Sequence, residues 1–294
     1  MSVNNWKQSG NYLDFEGNQI FYNSQKSEDE NLLCLHGFPT SSYDYLKIWD
    51  SLSNKFSLIA FDMIGYGFSE KPPNFDYTTF RQADVLQSVL SNLNIKKLHI
   101  LSHDYGNTII QELLARDEEG SLDFEIKSIC MMNGALFPET HRPILAQKIL
   151  ISPVGFLFNR FVTEKRMKQA LASVFGKATQ PTEKELDDFL KIFRSNGGGK
   201  IAYKLIQYMR EREKYRERWV GALERCTLTF RMINGLEDRV SGAHLVKRFR
   251  EIMPQKDIVE LEKRMATVLP DGWKLGQLTA EQPCTSYSEF KREI

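Results

Sequence analysis

Lys97-Leu98-His99-Ile100-Leu101-Ser102-His103-Asp104-Tyr105-Gly106 is the stretch on which the fold turns. Its first half is a short, mostly apolar run, the pattern of a strand covered on both faces of a parallel sheet. Tyr105 to Leu114 then follow with helical spacing, so the chain passes from strand to helix almost without a loop. So sharp a turn crowds its own backbone and requires small residues two places either side of the apex. Ser102 and Gly106 are those residues, and the apex is Asp104. It falls at the C-terminal edge of the sheet and at a helix N-terminus, whose partial positive charge favours a carboxylate. Two roles fit it: a helix N-cap, for which Asp is well suited, and a nucleophile held up to a pocket.

Working outward, the same kind of run recurs at Asn31 to Leu35, Leu58 to Phe61, Ile126 to Met132 and Leu228 to Ile233, and Asp257 to Leu261 can form one more strand. Helical patterns at Tyr43 to Leu52, Thr78 to Leu93 and Ala243 to Met253 alternate with them. Residues 12–24 form a hairpin around Glu16-Gly17-Asn18. Alternation of this kind predicts an α/β fold, a mostly parallel central sheet with helices on both faces. It breaks between about Phe137 and Leu223, where helical patterns such as Leu186 to Phe193 and Ile201 to Trp219 succeed one another. The expected organisation is a core of residues 1–137 and 223–294 with an inserted helical cap over 138–222. Ser195-Asn196-Gly197-Gly198-Gly199-Lys200 is expected to be a flexible connector; it follows no strand and lacks the Lys-Ser/Thr of a phosphate loop.

His36-Gly37-Phe38-Pro39 directly follows the strand at 31–35, where a fold with a nucleophile elbow builds half of its oxyanion hole. By position, the backbone N–H groups of Phe38 and Tyr105 are the two donors. His36 is expected to order this loop, and Asp62, at the head of a glycine-punctuated loop, to bond nearby backbone. After the strand that follows the insertion comes Asn234-Gly235-Leu236-Glu237-Asp238. A carboxylate here orients a catalytic histidine in the nucleophile–acid–histidine order; Asp238 is the choice, with Glu237 and a plain turn residue as alternatives. A serine esterase using Ser102 fails because Ser102 lies two residues before the apex.

The runs Leu32 to Pro72, Leu98 to Gly106, Phe137 to Pro143 and Arg218 to Leu223 closely resemble the mesoderm-specific transcript-like branch of the α/β-hydrolases, on their epoxide hydrolase and haloalkane dehalogenase side. The resemblance implies the α/β-hydrolase fold with eight strands and a helical cap, and a hydrolase. It implies attack by Asp104 on saturated carbon, giving an alkyl-enzyme ester that water, activated by a histidine, then hydrolyses. Dehalogenases of this type stabilise the leaving halide with a Trp after the nucleophile; Tyr105 stands there and Phe38 in the loop, which disfavours halide chemistry. Epoxide hydrolases use cap tyrosines to protonate the opening ring, and among Tyr203, Tyr208 and Tyr215 the possible donor is Tyr208. Endoplasmic reticulum association, through a hydrophobic N-terminal segment, belongs to the same implication, although the opening residues here show no such segment.

One part of the pattern is missing. The family places its histidine a few residues after the last strand, but Lys263-Arg264-Met265-Ala266-Thr267 follows here, and no histidine occurs after His244. His103 is expected to be turned into the elbow, His141 to sit at the cap entrance, and His244 to start a helix on the far side of the acid. Turnover is therefore in doubt, and the alternative is a catalytically inactive binding or regulatory protein that keeps the pocket. Lys and Arg total 39 against 38 Asp and Glu, so no broad field attracts nucleic acid, and the expected ligand is a small, largely apolar organic molecule. The four cysteines lack CxxC spacing and read as buried strand residues; no cofactor or metal motif occurs. No run approaches the roughly 20 apolar residues of a membrane span, which points to the cytoplasm.

Overall fold

Strands β1 (Asn11–Phe15) and β2 (Asn18–Gln25) pair antiparallel across a two-residue turn in which Glu16 (φ 52°) and Gly17 (φ 79°) both have positive φ. Turns of that hand match the twist of a hairpin. In this computed structural model, which describes residues 1–27, 30–157, 163–173, 175 and 180–262, the hairpin opens an eight-stranded sheet. β3 (Asn31–Leu35), β4 (Ser57–Phe61), β5 (Lys97–His103), β6 (Glu125–Met132), β7 (Thr229–Gly235) and β8 (Asp257–Leu261) complete it in the order β1-β2-β4-β3-β5-β6-β7-β8. β2 also runs antiparallel to β4, and every later pairing is parallel.

Alternate residues along the central strands enter two separate cores. Leu33, Leu35, Ile59, Phe61, Ile129 and Met131 join one apolar cluster, while Leu32, Cys34, Leu58, Ala60, Cys130 and Met132 join the other. Side chains of a strand point alternately to opposite faces, so a strand read as continuously apolar is one with a core on each side. Cys34 and Cys130 are buried and unbridged, and burial pushes the Cys130 thiol up to about 12.

The two faces are covered by α1 (Val3–Ser9), α2 (Leu46–Ser53), α3 (Thr79–Asn92), α4 (Tyr105–Glu118) and, after the insertion, α11 (Ala243–Ile252). Between β6 and β7 every described element is helical: α5 (Leu145–Ile151), α6 (Glu164–Ala172), α7 (Glu183–Arg194), α8 (Ala202–Leu205), α9 (Tyr208–Lys214) and α10 (Arg216–Arg225), with short 3-10 turns. The single helix expected over Ile201 to Trp219 is three, interrupted at Ile206-Gln207 and again at Tyr215 (φ −108°, ψ 24°). The connector at 195–200 is also more ordered than its glycines suggest. It folds into a 3-10 turn with Asn196 and Gly197 at positive φ, and Asn196 Nδ2 donates to the Phe68 carbonyl at 2.9 Å, fastening the turn to the loop after β4.

α10 is tied to α4 by Glu112, which is 1% exposed. Its carboxylate accepts from Arg116 Nε (2.9 Å), Arg218 Nε (2.7 Å) and Trp219 Nε1 (2.8 Å). Among the described residues no helix is long and apolar enough to cross a membrane. The residues from Lys263 onward, which follow the last strand where the family's histidine is expected, lie outside the described residues.

Candidate active site

β5 delivers Asp104 at φ 50°, ψ −109°, a conformation that L residues rarely adopt, and α4 starts at the next residue. No side-chain capping bond comes from Asp104, so the N-cap role is not what its carboxylate performs. The strain is held from several sides. The Asp104 N–H donates to the Asn133 carbonyl at 2.7 Å, and its own carbonyl accepts from Arg212 at 3.3 Å. Ser102 is buried with Oγ donating to Asn107 Oδ1 at 2.7 Å, which removes it as a nucleophile. Gly106 sits where a Cβ would lie 2.7 Å from the Leu35 carbonyl, and Gly134 where one would lie 2.8 Å from Asp104 Cα. Gly134→Ala is therefore expected to destabilise by about 1–3 kcal/mol, the usual range for overpacking a rigid site, measurable by urea unfolding.

The Asp104 carboxylate faces the loop after β3. Phe38 N–H donates to Asp104 Oδ2 at 2.9 Å, across a sequence separation of 66 residues. His36 shapes that loop: its Nε2 accepts from Met63 N–H (3.1 Å), which leaves Nδ1 to donate to the Gly37 carbonyl (2.9 Å). Burial holds its pKa below the ordinary histidine value, consistent with that neutral tautomer. Asp62 accepts from Ser42 N–H and Oγ on one oxygen and from Phe68 N–H on the other, a structural carboxylate as expected. Beside the elbow, Tyr208 is buried with its ring stacked on Tyr105 (centroids 4.1 Å apart) and the Arg212 guanidinium 4.7 Å from its centroid. Burial first, then the nearby Asp104 charge, raises the Tyr208 pKa well above ten, so its hydroxyl keeps its proton.

Asp238 and Asp104 line one cavity of about 260 Å³, together with Phe38, Asn133 and apolar side chains of the inserted helices such as Met167, Leu171 and Phe193. Asp238 is fully engaged. Its Oδ1 accepts from Val240 N–H (2.7 Å) and Ser241 N–H (3.2 Å), its Oδ2 from Asn133 Nδ2 (2.8 Å) and Ser241 Oγ (2.9 Å). A carboxylate has about four acceptor positions, and all are in use. Among the described residues no histidine hydrogen-bonds to either carboxylate. His244 Nε2 approaches the Val240 carbonyl instead (3.1 Å). His103, expected to be turned into the elbow, is half-buried and lines the cavity. Asn133 is the functional-site residue that sequence reading missed, and it bridges the elbow backbone to the Asp238 side chain. Its signal was a polar residue followed by glycine directly after the apolar run of β6.

His141 closes the 3-10 turn Pro138–Thr140, which packs against α9, and both of its ring nitrogens are buried and without a partner. Burial, Arg212 and His244 push its pKa down from 6.5 to about 3. The unfolded chain therefore binds a proton at this position between those limits while the folded chain does not. Stability from His141 is complete above about pH 6.5 and is lost as pH falls toward 3. His141→Phe is expected to flatten the fall in urea midpoint between pH 7 and pH 5, provided the variant folds as the parent does.

The alpha/beta hydrolase fold family matches residues 30–173. Mouse mesoderm-specific transcript protein is 38% identical over 279 residues, covering 90% of this chain and 82% of its own. The chain belongs to the mesoderm-specific transcript group of the α/β-hydrolases. Solved structures agree on the fold. Haloalkane dehalogenase DatA from Agrobacterium tumefaciens C58 superimposes on this α/β-hydrolase with a TM-score of 0.73 at 18% identity, over 87% of this chain and 88% of that one. Epoxide hydrolase CorEH does so with a TM-score of 0.69 at 16% identity, over 87% and 91%.

Proposed function

We propose that this α/β-hydrolase uses Asp104 as a nucleophile against a small, largely apolar epoxide. The observation that carries the reading is a carboxylate raised on a positive-φ elbow into an apolar cavity, with Phe38 N–H 2.9 Å from its Oδ2. In the first step an Asp104 oxygen bonds to an epoxide carbon, the ring C–O bond breaks, and the released oxygen takes the Tyr208 proton. The product is an alkyl-enzyme ester. In the second step water adds to the ester carbonyl, and the Phe38 and Tyr105 N–H groups stabilise the oxyanion, each such donor being worth about 2.7–4 kcal/mol. The bond from the Asp104 carbonyl carbon to the alkyl oxygen then breaks; one water proton returns to the Tyr208 phenolate, the other passes to the departing alkoxide oxygen, diol leaves and the Asp104 carboxylate is restored. The helices over 138–222 act as the cap that closes the cavity. Against halide chemistry, Tyr105 follows the nucleophile where dehalogenases of this type carry a Trp, and among the described residues no tryptophan lines the cavity.

A second reading, a ligand-binding protein without turnover, is favoured by one observation: all four acceptor positions of Asp238 are occupied and none by histidine. Incubation with a panel of aliphatic and aromatic epoxides tests both readings. Mass spectrometry is expected to find one substrate equivalent on the peptide containing Asp104 and none on the Asp104→Asn variant. Neither adduct nor diol from any epoxide would leave only the binding reading.

A further inference from the structure

The described part of the chain leaves six large apolar side chains exposed, and four of them belong to one segment: Leu145 (73%), Val154 (55%), Phe156 (53%) and Leu157 (43%). Scattered single apolar residues on a surface are ordinary, but a concentration in thirteen consecutive positions marks an interaction surface. α5 shows how the segment is divided. Ile144, Gln147 and Leu150, spaced three apart, line the cavity; Leu145 and Lys148, also three apart, face away from it and are exposed. The same turn of helix is thus cavity wall on one side and outer surface on the other.

The charge of the segment identifies what it meets. The described residues between Thr140 and Leu171 include five basic ones, Arg142, Lys148, Lys165, Arg166 and Lys168, and one acidic one, Glu164. That local balance of +4 stands in a chain whose total is +1. Glu164 pairs with Arg194 of α7, and Lys168 pairs with Glu183 and Asp187. Arg142, Lys148, Lys165 and Arg166 make no ion pair with a described residue, and Arg142, Lys148 and Lys165 are exposed. Exposed apolar side chains on one segment with the unpaired cations Arg142 and Lys148 fit the boundary between the headgroups and acyl chains of an anionic bilayer. A second copy of this chain is a poor occupant, because a two-fold contact would bring like charges together.

We infer that this face of the inserted helices docks on an anionic phospholipid surface. Leu145, Val154, Phe156 and Leu157 enter the acyl boundary, and Arg142, Lys148 and Lys165 lie at headgroup phosphates. The inference does not depend on epoxide chemistry, since the cavity wall would adjoin the bilayer whatever ligand enters.

Co-sedimentation of the full chain with vesicles tests it. Binding is expected to phosphatidylcholine vesicles containing phosphatidylserine and not to phosphatidylcholine alone, and to weaken sharply between about 0.1 M and 1 M salt as screening shortens. The double variant Leu145→Asp/Phe156→Asp is expected to weaken binding at least tenfold. Arg142→Glu/Lys148→Glu is expected to weaken it more than the roughly fivefold per neutralised cation, because the sign reverses. All four side chains are exposed, and far-UV circular dichroism checks that the variants remain folded. Failure to bind anionic vesicles, or binding that these substitutions leave unchanged, would overturn the inference. So would sedimentation equilibrium showing a dimer that Leu145→Asp/Phe156→Asp dissolves, since the face would then be a contact between copies.

Discussion

An epoxide that reacts with this chain is expected to label it once and stop. Under the proposed chemistry alkylation needs the Asp104 carboxylate, which lines the cavity and accepts from Phe38 N–H, and a proton donor, for which Tyr208, stacked on Tyr105 beside the elbow, is the candidate. Release needs water activated by a base, and among the described residues no histidine bonds to Asp104 or Asp238. Absence of a general base slows a step by a factor of about 10²–10⁴, so the ester should form at an ordinary rate and hydrolyse that much more slowly. Intact-mass spectrometry over time checks this: the adduct should rise to one equivalent and persist, with diol limited to a single turnover. Asp104→Asn should lower labelling by roughly 10⁶, the scale on which removal of a nucleophile acts in other hydrolases. Imidazole added to the labelled protein should accelerate release, because a small base can enter the cavity. Sustained turnover without added base would instead assign proton transfer to a residue of the chain, with His103, on the cavity wall, the first to replace.

The difference between the legible and the illegible parts of this fold is physical. Strands β3 to β7 declared themselves because a strand with a core on both faces must be apolar at nearly every position, and no other element of that length reads so. The elbow was legible because steric crowding restricts residue size at fixed offsets, and Ser102, Asp104 and Gly106 satisfy that restriction within five positions. The interruptions between α8, α9 and α10 were not legible. Ile201 to Trp219 keeps helical spacing throughout, and its breaks arise where Tyr208 stacks on Tyr105 and Tyr215 meets Phe80 and Trp219, contacts that belong to tertiary packing.

Asn133 eluded reading for a related reason. A side chain that bonds across 105 residues to Asp238 leaves no local periodicity, and its carbonyl bond to Asp104 N–H uses the main chain, which carries no residue signature. The saturation of Asp238 was equally hidden. The sequence shows an acid at the expected place, while Val240, Ser241 and Asn133 as its donors follow only from the turn geometry.

Glu112→Ala is expected to be the most destabilising of the single substitutions considered, by about 3–5 kcal/mol, the usual cost of removing one partner from a buried ionic cluster. The carboxylate is 1% exposed and accepts from Arg116, Arg218 and the Trp219 indole. Its removal strands the indole N–H in a buried setting and leaves both guanidinium groups a partner short, although Arg116 keeps Asp84 and Arg218 keeps Glu119. Glu112→Gln should cost less, since an amide of the same shape retains an acceptor oxygen for one of the two pairs of donors that the carboxylate oxygens serve. The loss should also reach the site. α10 follows α9 with only Tyr215 between them, and α9 carries both Tyr208, stacked on Tyr105, and Arg212, bonded to Thr108 Oγ1 and the Asp104 carbonyl. Loosening α10 on α4 therefore loosens the ring over the elbow and the donor that holds its strained carbonyl. Urea unfolding of Glu112→Ala and Glu112→Gln, alongside the rate at which each variant is labelled at Asp104, separates the two consequences. If Ala lowers the labelling rate in conditions where it remains fully folded and Gln restores it, the α4–α10 anchor governs the geometry of the elbow as well as the stability of the fold. If both variants label at the parent rate while the Ala form unfolds earlier, the anchor serves stability alone.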